Sequence, residues 1–168
     1  MKSSVCVIAL ILGATAAFAG MSDVDIQVAP KMVDASQPQN AGHRGTSEEH
    51  WQYIVMIENK RFQPLLGLEV RYMTFYTEAA LGSKDAPEQQ HQNGSFAVDL
   101  LQPHEKKAFT TSPVELKKSH LVGRRHYVNG GRIKAEDALV GVWVRVYQGG
   151  QIIGEYANPS TLTREQWQ

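Results

Sequence analysis

Alternation of apolar and polar residues with a period of two runs through most of this chain, broken at short intervals by glycine, proline and asparagine. The clearest case is LVGVWVRVY, Leu139 to Tyr147, followed at Gly149-Gly150 by a sharp turn and then by QIIGEYA, Gln151 to Ala157. Two such runs joined by a Gly-Gly turn predict a β-hairpin. Within it Val142, Val144 and Val146 share one side, and Trp143, Arg145 and Tyr147 share the other. A strand turns successive side chains to opposite faces, so alternation separates these two sets without saying which one is buried.

Similar runs predict strands at Asp23 to Pro30, His50 to Asn59, Leu68 to Glu78, Ser95 to Leu101, Lys106 to Ser112 and Val114 to Leu121. In the second, Trp51, Tyr53, Val55 and Ile57 fall on one face; in the third, Leu68, Val70 and Tyr72 oppose Met73 and Phe75. Trp51 and Trp143 are the large core fillers this pattern suggests. The segments 32–49 and 82–94 are rich in turn formers and read as loops. Helix is scarce: one turn is expected at Ala135 to Ala138, and a short helix at Ser160 to Gln168, with Ser160 or Thr161 as its cap. Seven or eight short strands predict an all-β protein, a β-sandwich first and an up-and-down barrel second.

The first residues, MKSSVCVIALILGATAAFAG, place Lys2 before an apolar run from Val5 to Leu12 and an Ala-x-Ala site at Ala17-Phe18-Ala19. That is the build of a secretory signal peptide, residues 1–19, with a single domain expected over 20–168. Cys6 is the only cysteine and lies in this leader, so the processed chain has neither a disulfide nor a thiol nucleophile to offer. An exported chain in the periplasm, at the outer membrane or outside the cell is the expectation. Its 17 basic and 17 acidic residues balance, so no global field draws nucleic acid. No later stretch is long and apolar enough to span a bilayer as a helix.

No catalytic or cofactor motif emerges. His43 and His50 flank GTSEE, but their spacing matches no metal site. Ser95 and Ser160 lack a nucleophile elbow and a base. A small hydrolase is therefore the weakest of three readings, and no enzyme, metal or cofactor is expected. Two segments are candidates for contact. KKSHLVGRRHYVNGGRIK is the most basic stretch of a neutral chain; Lys117, Lys118, Arg124, Arg125, His126, Tyr127 and Arg132 form a loop suited to an acidic protein face or an acidic glycan. Trp143, Arg145 and Tyr147 offer an aromatic and cationic strand face of the kind interface cores favour.

The stretches YIVMIENKRFQPLLGLEVRYMTFYTEAAL and LLQPHEKKAFTTSPVEL resemble small bacterial immunoglobulin-like domains of the FxLYD type. In that pattern a strand ends in an Asn-containing loop, here Asn59. A Leu-x-Pro turn, here Leu101-Gln102-Pro103, precedes a later strand. Glu105 stands where the pattern more often has glycine. GVWVRVYQGGQIIGEYANPSTL is similar to exported immunoglobulin-like proteins encoded with type IV pilus components. The resemblance implies an immunoglobulin-like sandwich and a non-enzymatic role in a pilus or cell-surface assembly, through protein contacts or self-association. The competing reading is a glycan-binding adhesin that uses Trp143, Tyr147 and Arg125.

Overall fold

The computed structural model describes residues 22–123 and 125–167, so the expected leader and Arg124 lie outside the described residues. Among the described residues ten strands form two antiparallel sheets: β1 (Val24–Ala35), β2 (Gln39–Ala41), β3 (Arg44–Asn59), β4 (Leu65–Glu78), β5 (Glu88–Leu101), β6 (Lys106–Thr110), β7 (Val114–Leu121), β8 (Lys134–Glu136), β9 (Ala138–Gln148) and β10 (Gln151–Asn158). The first sheet centres on β3, flanked by β1 and β2 on one side and by β6 and β7 on the other, with β8 beyond β7. The second runs β10, β9, β4, β5. Both sheets have open ends, so the barrel expectation is set aside and the all-β one stands.

Between the sheets lies one apolar layer. Val24, Ile26, Tyr53, Val55 and Ile57 from the first sheet meet Leu68, Val70, Tyr72, Val98, Val142, Val144 and Val146 from the second. Val55, Val70, Val144 and Val146 are fully buried, and burying a side chain of this size contributes about 1.5–3 kcal/mol. Three rings continue the layer toward the β5–β6 side: Tyr72 stacks on Phe96 at 5.3 Å, and Phe96 on Phe109 at 5.1 Å. Gly94 lies opposite Tyr72, where a Cβ would sit 2.2 Å from the phenol oxygen. The missing side chain lets Tyr72 reach across to the first sheet, where its oxygen accepts from the Ser112 amide at 2.9 Å.

The alternation of β3 changes hands partway along. Ile54 faces Thr110 and Trp51 faces Val114, so three steps on β3 match four on its neighbour. The ladder breaks there around Pro113, which has no N–H to give. A slip of one residue exchanges the faces of a strand. Tyr53, Val55 and Ile57 therefore line the apolar layer, while Arg44, Thr46 and Glu48 line the space between the sheets farther along. Trp51 is turned out of the core: it is half-buried, and its indole N–H donates to Glu49 at 3.0 Å. The expected single face from Trp51 to Ile57 is corrected accordingly.

The second sheet is covered on its outer face too. Met73, Phe75 and Trp143 pack there beneath Leu162, with Trp167 alongside. The chain reaches this position through a 3-10 turn, Ser160–Arg164, in place of the expected α-helix; Pro159 occupies the cap position and no side chain caps it. Alternation extended farther than sequence signals did. Glu88 to Gly94, read as loop, is strand β5; Arg44 to Glu49 begins β3; and Lys134–Glu136 is strand where part of a helical turn was expected. The hairpin of β9 and β10 forms as predicted.

Candidate functional site

The residues singled out in the sequence fall in three separate places. Val142, Val144 and Val146 face the other sheet, so the Trp143 side is the outer one, yet Trp143 is only 1% exposed. Trp167 closes over it edge to face at 4.7 Å. The Arg145 guanidinium lies 4.3 Å from the Trp143 ring centroid and 4.4 Å from that of Trp167, and Glu155 accepts from both the Trp143 indole and the Arg145 Nε. This Trp–Arg–Trp stack clasps the end of the described chain to the sheet. Trp143 is thus unavailable to a sugar or a partner, which corrects the reading of this strand as an exposed contact face. Tyr147 is half-buried, with Arg71 over its ring at 4.8 Å.

The basic segment is not one loop. Lys117 and Lys118 belong to β7 and point to opposite faces. Lys117 pairs with Glu115 at 2.7 Å; Lys118 pairs with Glu49 at 2.6 Å and Glu136 at 3.3 Å. The Lys118 ammonium beside Glu49 holds that carboxyl below its ordinary range, with the Trp51 indole helping. The loop proper begins after β7 and is held against residues 82–85. Gly82 donates its amide to Arg132, Arg132 donates its own to Ser83, and the Arg132 guanidinium reaches the Asp85 carbonyl. Tyr127 lies against Gly82, and a Cβ on Gly131 would sit 1.8 Å from the Gly82 carbonyl oxygen. Arg125, His126 and Val128 stay exposed.

A concavity lies between the two sheets beyond the apolar layer, where β3 and β7 face β4 and β5. It is an open cleft of about 870 Å³. One wall carries Arg44, Thr46 and Glu48 from β3 and Glu115, Lys117 and Ser119 from β7; the other carries Tyr76 and Glu78 from β4 and Glu88, His91 and Gln92 from β5. Asp137 joins the two walls, accepting the amide of Ala79 at 2.8 Å and that of Lys117 at 2.9 Å. Five carboxylates and two fixed cations line the cleft. The Lys117 ammonium lowers the Glu115 pKa, while partial burial and the nearby Glu78 and Asp137 raise that of Tyr76, burial most of all.

The β4–β5 wall grows more polar toward the mouth. Its inward rungs are Thr74 with Gln92, Tyr76 with Gln90, and Glu78 with Glu88. Thr74 is fully buried, and neither its hydroxyl nor the buried Gln92 Oε1 has a hydrogen-bond partner among the described residues. Glu78 and Glu88 are directly opposed like charges, an unfavourable pairing, with no ion-pair partner among the described residues. Sequence reading missed this wall because EQQHQNG carries no apolar alternation. The one available signal was Gln90 and Gln92 at two-residue spacing ahead of Phe96 and Val98. No cluster of three or more His, Cys, Asp or Glu among the described residues is arranged to hold a metal ion. No described helix is long and apolar enough to cross a membrane.

One further surface concerns backbone rather than side chains. β5 pairs with β4 along one edge only; no described strand pairs with its other edge, although at its end the Leu100 carbonyl accepts from Lys107 and the Leu101 carbonyl from Asn59. Beside it, between β5 and β6, runs a groove of about 370 Å³ lined by Ile54, Phe96, Ala108, Phe109 and Thr110.

No family model and no curated protein matches the chain. Among solved structures it is similar to the X-ray structure of Northeast Structural Genomics Consortium target SoR45, at 9% identity over 80% of this chain and 84% of that one, with a TM-score of 0.36.

Proposed function

We propose that this chain is an exported, non-enzymatic immunoglobulin-like protein that works by binding protein partners in a pilus-related or cell-surface assembly. The strand order supports the immunoglobulin-like part of this reading: β1, β3 and β6/β7 oppose β10, β9, β4 and β5, with crossings between the sheets at β3–β4, β5–β6 and β8–β9. The observation that carries the binding role is the open edge of β5. Along this fourteen-residue strand every second residue turns its backbone N–H and C=O away from β4, a template for an added strand up to the end near Leu100 and Leu101, whose carbonyls already accept from Lys107 and Asn59. The neighbouring apolar groove gives side chains of such a strand somewhere to lie.

A photo-crosslinking residue placed at Gln89 or Ala97, on β5, tests this in the cells that make the protein. A discrete adduct with one protein is the expected result, absent when the same residue replaces Gln27 on β1. Adducts of equal spread and intensity from both strands would reject the β5 edge as the docking line.

A further inference from the structure

The cleft between the two sheets has the chemistry of a cation site. Strands normally turn apolar side chains toward the opposing sheet; here three successive inward rungs of β4 and β5 are polar or acidic, and the facing wall is polar as well. Glu48, Glu78 and Glu88 make no ion pair among the described residues; of the two cations, Lys117 is held by Glu115 and Arg44 alone is without an ion pair there, so the acids outnumber the bases. Deeper in the wall, the Gln92 carbonyl oxygen is a buried acceptor without a donor, and the Thr74 hydroxyl beside it has no partner. A buried polar group left unpaired costs about 1–3 kcal/mol, so a donor brought to these atoms would be favoured. Unmet acceptors behind unpaired carboxylates call for a ligand that is both cationic and rich in N–H donors, as a guanidinium or ammonium is.

The same molecule carries the complementary surface. Arg125, His126 and Lys134 are exposed on and beside the loop that follows β7, with exposed Val128 between them. None of these residues lines the cleft of its own chain. Backbone bonds between Gly82, Ser83 and Arg132 and the packing of Gly131 on Gly82 tie the end of the loop beside the cleft and hold Arg125 and His126 out of it. We infer that the cleft receives the basic loop of a second copy of this chain. Ala79, Ala80 and Leu81 at the mouth would meet Val128 while Arg125 reaches Glu78 and Glu88. Loop and cleft are different patches, so the contact is head-to-tail and propagates into a ring or a filament, unlike a two-fold dimer. This inference rests on the proposed assembly role and names its partner.

Sedimentation velocity on the purified protein tests it. The wild type should associate in a concentration-dependent way at low salt and dissociate at about 1 M salt, where the screening length falls to ~3 Å. Arg125→Glu with His126→Glu, or Glu78→Lys with Glu88→Lys, should each weaken association at least about tenfold, which is ~1.4 kcal/mol. Circular dichroism confirms that these surface variants are folded. Mixing the two variants should restore association, because the basic loop of one meets the acidic cleft of the other and the two reversed surfaces are complementary as well. A wild type that stays monomeric up to ~1 mM overturns the inference; if the β5 adduct still forms, the binding role survives without it. Association that neither variant weakens also overturns it, as does a mixture no different from its parts.

Discussion

The side-chain amide of Asn59 donates to the carbonyl of Leu101 at 3.1 Å, tying the end of β3 in one sheet to the end of β5 in the other. The same amide donates to Gln63 at 2.9 Å, and the Asn59 side-chain oxygen accepts the Arg61 amide at 2.8 Å. Its backbone N–H and C=O bond to Glu105 and His104. A fully buried asparagine thus has both ends of its side chain satisfied and staples two loops at once. Replacement by alanine strands two carbonyls and an amide, so Asn59→Ala should destabilise by about 3 kcal/mol, at ~1 kcal/mol per lost bond. Asn59→Asp should be no better, since a carboxylate cannot donate to carbonyls. Urea midpoints measured at constant slope check both.

Asn59 and the Leu101-Gln102-Pro103 turn were legible as a pattern in the sequence, but not the bond between them, since that pairing spans 42 residues and depends on how the strands are stacked. The same division holds elsewhere. The β9–β10 hairpin could be read because its turn is local and its alternation strong. The outer face of β9 could not: Trp143 and Arg145 look like an exposed contact surface until Leu162 and Trp167 fold back over them. The cleft was invisible for the opposite reason. Its wall residues are polar on strands that periodicity can find only through apolar residues, and Thr46, Gln90 and Gln92 look like loop until their backbone is paired.

Trp167 closes the outer cluster, and its removal should loosen it selectively. Trp167→Ala should lower stability by about 1–3 kcal/mol through lost ring contacts and one side of the Arg145 stack. Leu162→Ala should lower it by about 2–5 kcal/mol, Leu162 being the more buried. Equilibrium unfolding gives the magnitudes. In Trp167→Ala the fluorescence of Trp143 should shift to the red as its cover opens. An unchanged spectrum together with unchanged stability would show that the clasp contributes nothing.

Tyr53 should make itself felt in alkali. Burial, with Tyr156 nearby, pushes its phenol from 10.0 up to about 12. The folded state therefore favours the neutral form. The stability this confers is complete below pH 10 and is lost as pH rises toward 12, because the unfolded chain ionises first. The two-unit shift corresponds to about 3 kcal/mol. Tyr53→Phe removes that titration, so the gap between wild type and variant should change by about this amount between pH 10 and 12. Parallel pH profiles for the two proteins would contradict the assignment.

The one-residue slip of β3 at Trp51 divides a single continuous strand into two independent tenants. Downstream of it, every inward position belongs to packing and tolerates little. Upstream, inward positions face open space, and their identities are free to vary without touching a valine of the interior. Mutation can therefore change the charge and polarity of the mouth of the molecule while the scaffold keeps its shape.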